Sequence, residues 1–109
     1  FKYYKIKPKK SDFQIIKKSY DPFSNPKLEK ILKKKKIKNL IIIGAYSSVC
    51  VDTAVRSGFT LGYNIIVPKD LISIIKERQK EEIAAINVWD VNFAHTTNSN
   101  EILKEWGLI

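Results

Sequence analysis

The 109 residues (12.6 kDa) suit one compact domain or part of one, and 44% hydrophobic with 11% aromatic residues exclude wholesale disorder. No unbroken apolar run exceeds the four residues of Leu40–Ile43, far short of the ~20 a membrane span needs, and residues 1–10 lack the apolar block of a secretory signal. One cysteine excludes an internal disulfide, and one cysteine with one histidine cannot complete a structural zinc site, so a cytoplasmic setting with no metal and no cofactor is expected. The chain opens on Phe1 and holds no methionine, which points to a trimmed or partial chain.

Charge is unevenly placed. Residues 1–40 carry 14 lysines against Asp12, Asp21 and Glu29, a balance of +11, whereas residues 41–109 balance at −2. Such asymmetry can mark a polyanion contact. With only two arginines, Arg56 and Arg78, and lysines wherever solvent permits, the favoured reading is a solvated face. Contact with RNA through the lysine-rich segment is the competing one.

Residues 1–11 read as an exposed basic lead-in, and Phe13–Ile16 as a short strand. Turn chemistry follows in Tyr20-Asp21-Pro22 and Ser24-Asn25-Pro26. A helix is predicted from Pro26, with Leu28, Ile31 and Leu32 on one face and the Lys33–Lys36 run complementing its C-terminal dipole. Asn39–Gly44 (NLIIIG) is a β-branched run closed by glycine, the pattern of a central strand buried on both faces of a parallel sheet. A small polar loop leads to a helix over Val49–Leu61, ended by Gly62, and Tyr63–Val67 (YNIIV) is the next strand. That is a βαβ unit with a right-handed crossover. A helix over Ile74–Trp89, a strand at Phe93–Thr97 and a helix at Ser99–Trp106 complete one α/β domain, a parallel sheet with helices on both faces. Trp89 and Trp106 are read as packing residues, His95 as a polar residue near the last strand, Asp70 as a strand-end or capping group and Asp52 as a surface carboxylate.

Ligands of open parallel sheets bind beyond the carboxyl ends of the strands. Cys50 falls there, at the start of the helix after NLIIIG, where unpaired amides and the helix dipole favour a thiolate. A buried structural cysteine is the competing reading.

The segment Gly44-Ala45-Tyr46-Ser47-Ser48-Val49-Cys50-Val51-Asp52-Thr53-Ala54, continued by Gly62-Tyr63 and a strand running to Asp70, resembles the cysteine loop of the isochorismatase-like cysteine hydrolases, which include nicotinamidases. Upstream, Lys17, Tyr20 and Phe23 at three-residue spacing resemble the family's lysine motif, and Asn92-Phe93-Ala94 with Thr96-Thr97 is similar to its last strand. The likeness covers residues 12 to about 105, so 12–109 is expected to be the C-terminal part of a single domain with a Rossmann-like three-layer architecture. It implies Cys50 as nucleophile, Lys17 as the cation holding the thiolate, and the backbone amides of Tyr46 and Cys50 as an oxyanion hole. It also implies a cis Ala45–Tyr46 peptide and a substrate pocket bordered by Phe23 and Tyr20.

The implied chemistry is cleavage of a small-molecule amide C–N bond through a thioester. The family's third catalytic group, an aspartate, lies on a first strand ahead of the lysine motif. No aspartate precedes Asp12, and Asp12 is only five residues from Lys17. The family's metal ligands belong to that same absent portion. An N-terminal partner segment or homo-oligomerisation is therefore expected. The alternative is a non-catalytic family member serving as a structural or interaction subunit.

Overall fold

The computed structural model describes residues 3–109; residues 1 and 2 of the basic lead-in lie outside the described residues. The predicted strand at Phe13–Ile16 does not form. Apolar residues become a strand only where a neighbour takes their backbone groups, and here the Ile16 carbonyl accepts from Asn25 Nδ2 at 2.8 Å while the Ile16 side chain is 81% exposed.

Helix α1 (Pro26–Lys34) is capped by Asn25, whose Oδ1 accepts from the Lys27 amide at 3.0 Å. It ends where Lys36 takes a left-handed φ of 56°, with Ile37 N–H donating to Leu32 O and Lys36 N–H to Lys33 O. That is a Schellman ending built on a lysine rather than a glycine. The tetralysine run therefore has a local structural role at the end of α1.

Three parallel strands follow in the order β1 (Asn39–Ile41), β3 (Asn64–Pro68), β5 (His95–Thr97), with Leu40 opposite Ile65 and Val67 opposite Thr96. The β-branched pattern of NLIIIG predicts a central strand buried on both faces. The run is instead the edge strand, Ile41 being 40% and Ile43 56% exposed, and β3 takes the buried centre. A β-branched run reports propensity for a strand; it carries no information on which neighbours exist, and among the described residues none pairs with the outer edge of β1.

Helix α2 (Asp52–Thr60) packs on β3 and helix α3 (Gln79–Asn92) on β5, burying Val55, Ile65, Val67, Ile86 and Trp89 in one core. Gly58 permits this closeness, since a Cβ there would sit 2.8 Å from the Ile65 Cδ1 atom. Helix α4 (Ser99–Glu105) covers the opposite face, where Ile102 and Trp106 border a 250 Å³ groove with Ile41, Ile66 and His95. Helices thus lie on both faces. Trp106, read as a packing residue, is 62% exposed because it sits on this incompletely covered side. Asp70 accepts from the Ser99 amide at 2.7 Å and from its hydroxyl, so it does serve a helix start.

Candidate active site

The cysteine turn begins where the sheet ladder stops. Ile42 N–H still donates to Ile66 O at 3.0 Å, but Gly44, at φ 138°, swings the chain away. Few side chains tolerate that backbone angle, so glycine is required at this departure. Strand β2 (Gly44–Ala45) then pairs in parallel with β4 (Ile72–Ser73), a small second sheet that the sequence pattern did not indicate. The Ala45–Tyr46 peptide is cis.

Residues Ser47–Val51 wind as one wide π-helical turn, in which Val51 N–H donates to Tyr46 O at 3.1 Å. The regular helix starts only at Asp52, three residues after the predicted Val49, so half-buried Cys50 sits in the wide turn that feeds α2. Single π-type turns recur at functional sites because they re-aim side chains within a helix. Asp52, read as a surface carboxylate, is bound inward by Trp89 Nε1 at 2.7 Å and by Arg56 Nε at 3.0 Å.

The lysine motif reaches the same place from the other side. Asp21 accepts from Phe23 N–H at 2.9 Å and from Ser57 Oγ–H on α2 at 2.9 Å, docking the motif on the helix that follows Cys50. Phe23 stacks on Tyr63 with ring centroids 5.9 Å apart. Lys17 Nζ donates to Tyr20 O at 3.0 Å, which fixes the ammonium close to its own turn.

Lys17 and Cys50, 33 residues apart in sequence, line one groove of about 370 Å³ together with Phe23, Leu28, Leu40 and Ala45. The groove runs from the cysteine turn down the open edge of β1 towards α1. Tyr20 does not border it: the ring is 62% exposed, and its backbone carbonyl is the part that engages Lys17. Tyr46 is likewise not among the residues that line the groove, and it is exposed. Lys17 is the sole charged residue among the described lining residues. No group of three or more His, Cys, Asp or Glu side chains among the described residues could hold a metal ion.

One buried residue near the turn escaped the sequence reading. Glu82, in the first turns of α3, is fully buried and accepts from the hydroxyls of Ser47 and Ser48 and from the Ser48 amide at 3.4 Å. Burial alone would raise its pKa; the hydrogen bonds from Ser47 and Ser48 together outweigh that penalty and hold the carboxyl below its usual range. Its sequence signal, an acidic pair Glu81-Glu82 early in a helix, is the same as that of a solvated dipole partner.

The isochorismatase domain model matches residues 3–101. The chain belongs to the isochorismatase family. Among relatives of this isochorismatase-family chain, the ureidoacrylate amidohydrolase RutB of Caulobacter segnis is 36% identical over 58 residues, 53% of this chain and 24% of that protein. The isochorismatase family protein YaaI of Bacillus subtilis is 27% identical over 101 residues, 93% of this chain and 55% of its own length. The solved structure of an isochorismatase-like hydrolase from Alkaliphilus metalliredigens superposes with a TM-score of 0.84 at 17% identity, over 93% of this chain and 55% of that one, and shares the fold. The isochorismatase-family chain therefore spans about half, or less, of the length of these relatives. No helix among the described residues is long and apolar enough to cross a membrane.

Proposed function

We propose that this chain is the C-terminal part of a cysteine hydrolase domain that cleaves an amide C–N bond of a small molecule. The observation that carries the reading is the joint placement of Cys50 and Lys17 on one groove at the end of a parallel sheet. In this reading Cys50 Sγ attacks the carbonyl carbon, and its proton passes through an aspartate, supplied from outside residues 1–109, to the departing nitrogen. The C–N bond breaks, the acyl group stays on sulfur as a thioester, and water then releases the acid and restores the thiol. The Lys17 ammonium steadies the thiolate, and the Tyr46 and Cys50 amides take the oxyanion, where preorganised donors matter most. Similarity to an amidohydrolase of a ureido compound makes ureido and N-carbamoyl amides the first substrates to test.

One observation favours a second reading, a non-catalytic subunit: no carboxylate lines the groove among the described residues. The deciding experiment assays the full-length protein on a panel of small amides beside Cys50→Ala and Lys17→Met. Turnover is expected in the wild type, with loss of activity in Cys50→Ala and a fall of about 10²–10⁴-fold in Lys17→Met. Folded full-length protein without turnover on the panel, and with Cys50 alkylating no faster than free cysteine, would favour the subunit reading.

A further inference from the structure

Glu82 is a buried titratable group that this mechanism does not use. It sits on α3, which belongs to neither the lysine motif nor the cysteine turn, yet its carboxylate closes onto Ser47 and Ser48. Those two residues lie between Tyr46 and Cys50, the pair whose amides would form the oxyanion hole. Ser47 Oγ, itself fully buried, also lies 3.0 Å from the Glu82 carbonyl oxygen, a second acceptor for its single hydroxyl proton. A carboxylate is suited to this task because it accepts on both oxygens and can serve two hydroxyls and an amide at once. An apolar residue would remove the acceptor of the half-buried Ser48 hydroxyl and amide and leave the Ser47 hydroxyl only the residue-82 carbonyl.

We propose that Glu82 is a positioning residue that clamps the Ser47–Val51 wide turn from behind and so sets where the Tyr46 and Cys50 amides and the Cys50 thiol stand. Wide turns are unusual conformations that persist only where surroundings hold them. Here the turn's own Val51 N–H to Tyr46 O bond is joined by a hold from across the fold, 34 and 35 residues away in sequence. The hydrogen bonds reach the side chains of Ser47 and Ser48 and one amide, which leaves the open side of the turn to face the groove.

The inference rests on the proposed hydrolase reading for its effect on catalysis, but not for the clamp itself, and the two are tested separately in full-length protein. Hydrogen–deuterium exchange reads the clamp: Glu82→Ala is expected to speed exchange of residues 46–51 while β3 amides keep wild-type protection. Glu82→Gln, which keeps one acceptor and gains one donor, should hold the turn near wild-type protection. The conservative variant separates a clamp from a general need for a large side chain at this place, which Glu82→Met measures. If Glu82→Ala does not fold, Ser47→Ala with Ser48→Ala carries the same test from the other side.

Activity reads the consequence, normalised to the alkylatable Cys50 content. Glu82→Ala is expected to lower kcat by about 10²-fold with KM within a few-fold, since an ångström of misplacement is enough for such a loss. Glu82→Gln should recover most of it. Unchanged protection of 46–51 in Glu82→Ala, or a Glu82→Met variant as protected and active as Glu82→Gln, would overturn the clamp. Absence of turnover in wild type, with faster exchange of 46–51 in Glu82→Ala, would instead count against the hydrolase reading and leave the clamp standing.

Discussion

Trp89→Phe probes the joint between the core and the cysteine turn. Trp89 is fully buried, and its Nε1 donates to Asp52 Oδ1 at 2.7 Å, at the residue that opens α2 directly after the turn. A hydrogen bond to an ionised acceptor is worth ~1.5–3 kcal/mol, and a void left by a smaller ring costs ~1 kcal/mol. Asp52 is not orphaned by the change, because Arg56 Nε still binds it at 3.0 Å, so the lower part of the hydrogen-bond range applies. The expected destabilisation is therefore about 2–3 kcal/mol. Urea unfolding of the full-length protein should show a lower midpoint with an unchanged slope. Folded-state fluorescence should shift to the red, since exposed Trp106 becomes the remaining tryptophan of this segment. A double-mutant cycle with Asp52→Ala should return a coupling of about 1 kcal/mol or more. A variant within ~0.5 kcal/mol of wild type, or a cycle with no coupling, would refute the claim that this hydrogen bond joins α3 to the start of α2.

Acid sensitivity follows from Glu82. Its folded-state pKa lies below the ordinary glutamate value of 4.5, so its contribution is complete above that value and is lost as pH falls through the folded one. Urea midpoints measured from pH 7 down to pH 3 should fall less steeply in Glu82→Gln than in wild type, and superimposable profiles would contradict this. Asp70 has its carboxyl held low by hydrogen bonds from the Ser99 hydroxyl and amide; Asp70→Ala should speed amide exchange in α4 and leave β3 unchanged, and equal loss in both would rule out a local role. The open edge of β1, with Ile41 and Ile43 exposed beside it, should make the isolated 109-residue chain associate as concentration rises. Sedimentation velocity showing a monomer at every concentration would remove that expectation.

Local chemistry was legible along the chain wherever it acts over a few residues. Asn25-Pro26 starts α1, Gly62 at φ 96° ends α2's turn, and the two β-branched runs form parallel neighbours, because caps, glycine angles and strand propensity are decided by short-range sterics and hydrogen bonds. The same locality explains how Cys50 could be placed near a strand end, although the wide turn moved the start of its helix to Asp52. What the sequence could not decide was partnership between distant segments. Phe13–Ile16 found no ladder, β1 became an edge, Gly44–Ala45 paired with Ile72–Ser73, and Glu82 turned inward onto Ser47 and Ser48. Each of these outcomes depends on which groups the fold brings within hydrogen-bonding distance. A glutamate at the start of a helix reads identically whether it faces water or two serine hydroxyls; only the packing of α3 against the cysteine turn removes the water and leaves the serines as its partners.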